Sequence, residues 1–381
     1  MNELSKQEDR QEHTTITASK RNTCKAIFVD LNINSTERED ERLIIELYDK
    51  VHSHDLILFL LNSWKEWVEL GKDRDKSCYG NSSIINGIPP LIPQNFPLRT
   101  NKNNFKQKPS ANVMGKIGFY CTDLCTPIVG SLQQELIQDA FIVKKSCSLI
   151  LQHYQQQEEN DTIVYALTTH PGHHASTISF GGYCYLNHAA AAATNILDIL
   201  KEINDINNNQ KNKKVAIIDV DYHVGNGTLE IFSDDDNVIV ISLHCDPNIE
   251  YPFHAGFADD NGENSNFNIP LPPGTNWKDY KIQLLRALEY INEQAFHDEL
   301  VALIISLGLD TLNNDPVAVS GAGFQFLVDD YLEMGTLFGQ YKDPNGRHVP
   351  ILLVQEGGYV MDSVGILVRN VLNGIGRGRN M

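Results

Sequence analysis

Five short polar clusters hold the residues best suited to chemistry: Thr168-Thr-His-Pro-Gly-His-His174, Asp219-Val-Asp-Tyr-His-Val-Gly-Asn-Gly-Thr228, Ser242-Leu-His-Cys-Asp246, Ser306-Leu-Gly-Leu-Asp310 and Gln355-Glu-Gly-Gly-Tyr359. Each follows an apolar run, and in open parallel sheets ligands bind beyond the carboxyl ends of the strands, so the five clusters point to one shared site. Asp221 and His223 stand two apart, which turns both side chains to one side of an extended segment, and Asp310 can join them from another strand end. Three protein ligands with an open fourth position are the arrangement of a catalytic metal, whereas a structural site is closed by four. Zinc suits such a site, and its oxygen-rich ligation also admits Fe(II), Co or Mn. The tandem His173-His174, set in a Pro-Gly turn, supplies a candidate general base. Adjacent imidazoles beside a cation must be partly neutral or paired with carboxylates. Tyr359, behind Gly357-Gly358, offers a hydroxyl to a developing oxyanion. These groups suit amide hydrolysis, because one Lewis-acidic metal can polarise the carbonyl and also generate a nucleophile near neutral pH.

The elements that must position these groups follow from periodicity. Ile163–Leu167, Val215–Val220, Val238–Leu243, Val301–Leu307 and Val349–Val354 are continuous apolar runs rich in Val and Ile, the mark of parallel strands covered on both faces. Helical periodicity covers Asp40–Gly71, Leu132–Gln155 and Asn187–Ile203, with a polar connector at Asn204–Lys214. Cys24–Leu31 reads as a further short strand, and Met1–Asn22 as a disordered polar leader without the apolar run of a signal peptide. Lys72–Asn112, rich in Asn, Pro, Ser and Lys, has almost no periodicity and reads as a long functional loop. No repeat or compositional break divides the rest, so 23–381 is expected to be one α/β domain.

Composition narrows the function classes. A formal charge of −18 with no large Lys/Arg cluster argues against a nucleic-acid face and would favour a cationic substrate. Seven cysteines without a CxxC pair read as reduced thiols, with Cys121 and Cys125 closest together, which places the protein in the cytoplasm. No apolar run approaches the roughly 20 residues of a membrane span.

Several motifs resemble the arginase/deacetylase superfamily, specifically its histone-deacetylase-like amidohydrolases and, among them, the acetylpolyamine amidohydrolases. They are Gly115 to Asp123 with Thr126-Pro127, Pro171-Gly-His-His-Ala175, Gly181-Gly-Tyr-Cys-Tyr-Leu-Asn187, Asp219 to Thr228, Asp246-Pro247, Pro270 to Thr275, Gly308-Leu-Asp310 with Asp315-Pro316, and Glu356-Gly-Gly-Tyr359. The resemblance implies a three-layer α/β/α domain with a mainly parallel sheet of about eight strands. It implies zinc on Asp221, His223 and Asp310, a substrate carbonyl polarised by zinc and Tyr359, and a water deprotonated by His174. His173, paired with Asp219, is implied to assist electrostatically and in protonating the leaving amine. Tyr183 and Tyr251 match the walls of the acyl channel, and the Gly182 carbonyl matches the acceptor for the substrate amide N–H. A structural potassium ion is implied on Asp219, Asp221, His223, Ser242 and Leu243, with Asn226 among the supporting residues. The two-manganese arginase alternative needs a carboxylate two residues before the last ligand, where this chain has Gly308.

The family pattern is broken at Val224, where a second His is usual, and at His170, where Pro is common. Two substrates share the chemistry, an acetylated polyamine and acetyl-lysine in a protein. A homodimer or loop narrowing the channel mouth would favour the small one. Glu250, Asp259, Asp260 and Glu263, close in sequence to Tyr251, are expected near that mouth, attracting cations.

Overall fold

Each of the five apolar runs forms a strand, and together they belong to one parallel sheet. The computed structural model describes residues 37–70, 88–98, 106–156, 162–207, 212–260, 266–318 and 322–381. Among them the chain runs α1 (Glu37–Tyr48), α2 (His54–Leu70), α3 (Val113–Tyr120), α4 (Leu132–Gln156), β1 (Ile163–Ala166), α5 (His188–Asn207), β2 (Lys213–Asp219), α6 (Asn226–Ile231), β3 (Val238–Cys245) and β4 (Asn266–Leu271). It continues through α7 (Trp277–Gln294), β5 (Glu299–Leu307), α8 (Asp330–Gln340), β6 (Ile351–Gln355) and α9 (Met361–Arg379). The strand order is β1-β6-β5-β2-β3-β4, with every pair parallel.

Burial on both faces explains the unbroken apolar runs. On β2, Val215 and Ile217 join a core with α1 to α5, while Ala216 and Ile218 join a second core with α7 to α9. The result is the expected three-layer α/β/α domain. The sheet has six strands among the described residues, a correction to the eight expected. Leu91 with Ile128, Cys121 with Phe180, and Leu312 with Phe326 meet only as isolated bridges, too short to continue a ladder. The expected strand Cys24–Leu31, the leader and much of Lys72–Asn112 lie outside the described residues.

Two local differences have simple causes. The helical pattern of Asp40–Gly71 splits into α1 and α2 because the Ser53 hydroxyl and carbonyl accept the Leu56 N–H, starting a new helix. β4 went unpredicted because Asn266, Asn268 and Pro270 interrupt its apolar pattern, but a sheet edge with one neighbour tolerates proline.

The α8 and α9 helices cross so closely that a Cβ on Gly374 would stand 2.2 Å from the Leu332 carbonyl oxygen. Gly374→Ala is therefore expected to destabilise the protein by about 1–3 kcal/mol, the overpacking cost exceeding the roughly 1 kcal/mol of helix propensity gained. Denaturant midpoints of the two proteins measure this, and a stabilised variant would refute the close approach.

Candidate active site

The two central strands end at the densest chemistry. β2 leads into Asp219–His223 and β5 into Asp310, while Asp219 registers against Ser306 on β5 and Ser242 on β3. Beyond these ends, ligand atoms of Asp221, His223 and Asp310 lie within 4.8 Å of one another, and all three residues are buried. His223 Nδ1 is 3.2 Å from Asp221 Oδ1 and 3.0 Å from Asp310 Oδ2. Backbone donors fix the carboxylates: the Gly357 N–H gives to Asp221 Oδ2 at 2.9 Å, and the Tyr222 N–H to Asp310 Oδ1 at 2.9 Å.

This donor set fits a divalent cation. Burial first, and then the neighbouring Asp221 charge, push the Asp310 carboxyl up to about 7. Burial alone would depress His223, but hydrogen bonds and charge from Asp221 and Asp310 raise it to about 10. Two buried carboxylates converging on one imidazole thus call for positive charge between them. A two-metal centre built as in arginases lacks its extra carboxylate here, since a Cβ on Gly308 would stand 2.3 Å from the Asp221 Cα; the other buried group among the described residues whose ligand atoms lie within 4.8 Å of one another is His173, Cys184 and Glu356.

The tandem histidines are brought to the same place in opposite protonation states. His173 Nδ1 lies 2.8 Å from Asp219 Oδ2, and its Nε2 3.9 Å from Asp221 Oδ1. Burial acts to lower His173, but Asp219, Asp221 and Glu356 hold it well above its ordinary value. His174 is held well below, by burial and then by the charges of His173 and His223. The neutral His174 has one N–H, and its Nδ1 faces the acceptor Asn226 Oδ1 at 2.7 Å, so Nδ1 donates and Nε2 is bare.

Tyr183, Tyr251 and Gly182, expected to wall an acyl channel, lie beside His174 and Tyr359. Tyr251 packs edge-on to His174 with ring centroids 4.9 Å apart, and Tyr183 to Tyr359 at 5.8 Å. Gly182 has φ +58°, and a Cβ there would stand 2.3 Å from His174 Cδ2, so only glycine lets this loop lie against the ring. Tyr359 is half-buried, its N–H gives to Asp315 Oδ2 at 2.8 Å, and its hydroxyl makes no hydrogen bond to any described residue. Burial, and then Asp310 and Asp221, push that hydroxyl upward, keeping it protonated.

The residues implied for potassium also adjoin one another. His244 is lowered to about 4 by burial and is neutral; its Nε2 faces the Gly256 carbonyl at 2.8 Å and so carries the proton. Ser242 must then donate to His244 Nδ1 at 2.8 Å, which frees its oxygen lone pairs for Gly225 N–H and a cation. Leu243 follows in β3.

One expectation fails. Glu250 is not at the channel mouth: it is 0% exposed and its Oε2 accepts from the Tyr222 hydroxyl at 3.1 Å, because the turn after Asp246 folds it inward. Asp259 and Asp260 are exposed, and Asp260 accepts from the Gly256 and Phe257 N–H groups. Glu263 lies outside the described residues.

Supporting residues that spacing could not reveal are Glu356, Asp123 and Asp315. Glu356 Oε2 accepts from the N–H groups of Gly172 at 2.6 Å and His173 at 3.1 Å, and burial pushes its carboxyl up to about 7. Asp123 Oδ2 takes the Gly182 N–H at 2.5 Å and the Tyr251 hydroxyl at 3.4 Å, joining two of the residues expected to wall the channel. Their motifs are visible in the sequence, but their partners lie far along the chain.

Three buried histidines make stability depend on acid. His52, His188 and His244 are each lowered to about 4, chiefly by burial. Between that value and the ordinary 6.5 the unfolded chain binds more protons than the folded one, so stability is full above 6.5 and is lost as pH falls through the window. Each contributes roughly 3 kcal/mol at the limit, partly offset by Glu356 and Asp310, whose raised carboxyls titrate in the opposite sense. Denaturant midpoints should fall from pH 7 to 6 to 5, and a flat profile would refute the neutral assignment.

Comparison with known proteins identifies relatives of this chain. Acetylpolyamine amidohydrolase 2 of Pseudomonas aeruginosa is 34% identical over 336 residues, 87% of this chain and 82% of that protein. Acetylpolyamine amidohydrolase 1 of the same organism is 34% identical over 331 residues, 85% of this chain and 81% of that protein. The crystal structure of an acetylpolyamine aminohydrolase from Burkholderia pseudomallei has the same fold, with TM-score 0.68 and 24% identity over 88% of this chain and 83% of that one. Residues 46–375 match the histone deacetylase domain, and with relatives of this identity and coverage the chain belongs to the histone deacetylase domain family.

Proposed function

We propose that the protein hydrolyses the amide of an acetylated amine to acetate and free amine, and that its substrate is an acetylpolyamine. The observation that carries the chemistry is a neutral His174 with a bare Nε2 beside the buried Asp221–His223–Asp310 group. The substrate class rests on the two Pseudomonas relatives, each 34% identical over most of the chain. A divalent ion on Asp221, His223 and Asp310 would supply Lewis acidity, polarising the amide carbonyl and lowering the pKa of water. We assign zinc, with Fe(II) and Co(II) as substitutes.

The protein's own residues then divide the work. His174 Nε2 takes a proton from the attacking water, and the Tyr359 hydroxyl donates to the carbonyl oxygen as charge develops. His173, held as imidazolium by Asp219, adds positive charge and protonates the leaving amine. Tyr183 and Tyr251 wall the acyl channel, and the Gly182 carbonyl accepts the substrate amide N–H. A structural potassium ion on Asp219, Asp221, His223, Ser242 and Leu243 would neutralise the buried carboxylates beneath. The five described cysteines are all free, a usage that fits the reducing cytoplasm.

A turnover panel of acetylputrescine, acetylspermidine and an acetyl-lysine peptide tests this, with and without chelator. Chelator-sensitive turnover of the acetylpolyamines is expected. Preference for the peptide would shift the reading to protein deacetylation, and turnover insensitive to chelator would overturn the metal.

A further inference from the structure

The loop from Leu167 to His174 leaves the sheet at the end of β1, and Leu167 is 60% exposed, so other contacts must aim the two histidines. Glu356 holds the middle of this loop through Gly172 and His173. At the far end, His52 Nδ1 faces the Ser176 carbonyl at 2.7 Å, and Asn187 Nδ2 gives to the Ala175 carbonyl at 3.1 Å. The near end is held from α4. Asp139, 0% exposed, accepts the Thr169 N–H on Oδ1 at 2.6 Å and the His170 N–H on Oδ2 at 3.3 Å. His170 Nδ1 lies 3.2 Å from the same Oδ2, and its Nε2 3.3 Å from Glu135, one helical turn before Asp139. On its inner side Asp139 faces His188 Nε2 at 3.7 Å, and His188 Nδ1 meets the Tyr48 hydroxyl at 2.7 Å.

From this convergence we infer that Asp139 is a positioning residue for the His173-His174 turn, acting through Thr169 and His170 and touching neither substrate nor metal. The inference rests on the proposed hydrolysis and adds to it a residue from the helical layer. His170 belongs to the device, since its ring links the loop to both carboxylates of α4. Burial would raise the Asp139 carboxyl, but His170, His188 and the Thr169 N–H hold it below the usual range, so it stays an acceptor. Small misplacements of a base cost much rate: a shift of about 1 Å can cost about 100-fold. The channel walls and the metal-ligating residues come from other segments, so binding and metal retention should be spared.

The test compares full-length, metal-loaded wild type with Asp139→Ala, Asp139→Asn and His170→Ala, in two arms. In the kinetic arm, with acetylspermidine, Asp139→Ala is expected to lower kcat about 10- to 100-fold with KM within about twofold and metal content unchanged. Asp139→Asn keeps an acceptor for Thr169 and should recover part of the loss. In the second arm, amide hydrogen exchange of the 167–175 segment should accelerate in Asp139→Ala and His170→Ala while β2 and β3 stay protected. Wild-type kcat with unchanged exchange would overturn the inference. So would exchange rising equally throughout the protein in every variant, which would mark Asp139 as merely structural. A wild type that leaves all acetylated amines untouched would sink the proposed function, and the exchange arm would still decide the positioning role.

Discussion

Asp310→Ala is expected to abolish both metal retention and turnover while leaving the fold intact. In the proposed site Asp310 is one of three ligands, and Gly308, pressed against Asp221, offers no carboxylate at the position two residues before it. Two remaining ligands hold a divalent ion poorly. Removal also leaves the Tyr222 N–H without its acceptor and relieves Asp221 of a repelling neighbour. Neither change disturbs the parallel ladder of β5, which ends at Leu307. Metal analysis after dialysis should fall from one equivalent per chain toward zero, with turnover lost in parallel and the circular-dichroism spectrum retained. A variant that keeps a full equivalent, or a wild type holding two, would contradict the single three-ligand site.

The next largest effect is expected from Tyr359→Phe, a loss of about two to three orders of magnitude in kcat with metal content unchanged, the scale of deleting one oxyanion donor. Burial and the nearby Asp310 and Asp221 charges keep this hydroxyl protonated, and it has no hydrogen-bond partner among the described residues. The Asp315 carboxylate holds the Tyr359 backbone and not the hydroxyl, so the ring should keep its place in the variant. A kcat near that of wild type would make Tyr359 a packing residue against Tyr183 and require another donor for the oxyanion.

The sequence by itself determined the elements and ligands whose signals are local. Strands buried on both faces write their burial as continuous Val and Ile runs, and each run ends at its own polar cluster, so β1, β2, β3, β5 and β6 were found within a few residues of their observed limits. Asp221 and His223 were readable as a pair because two-residue spacing puts both side chains on one side. Tertiary structure decided what depends on pairing across the chain. The edge strand β4, with Asn and Pro in its run, is recognisable only from its ladder with β3. Glu250 looked like a channel-mouth charge until the turn after Asp246 folded it against Tyr222. The opposite protonation states of His173 and His174 arise from groups the chain brings in from afar: Asp219, 46 residues away, with Asp221 and Glu356 holds His173 up, while burial and the charges of His173 and His223 hold His174 down. Asp139 carries no motif of its own, and the Glu356-Gly-Gly-Tyr359 motif does not say what Glu356 holds, because a carboxylate that fastens a backbone N–H is defined by where the chain brings that N–H and not by the residues beside it.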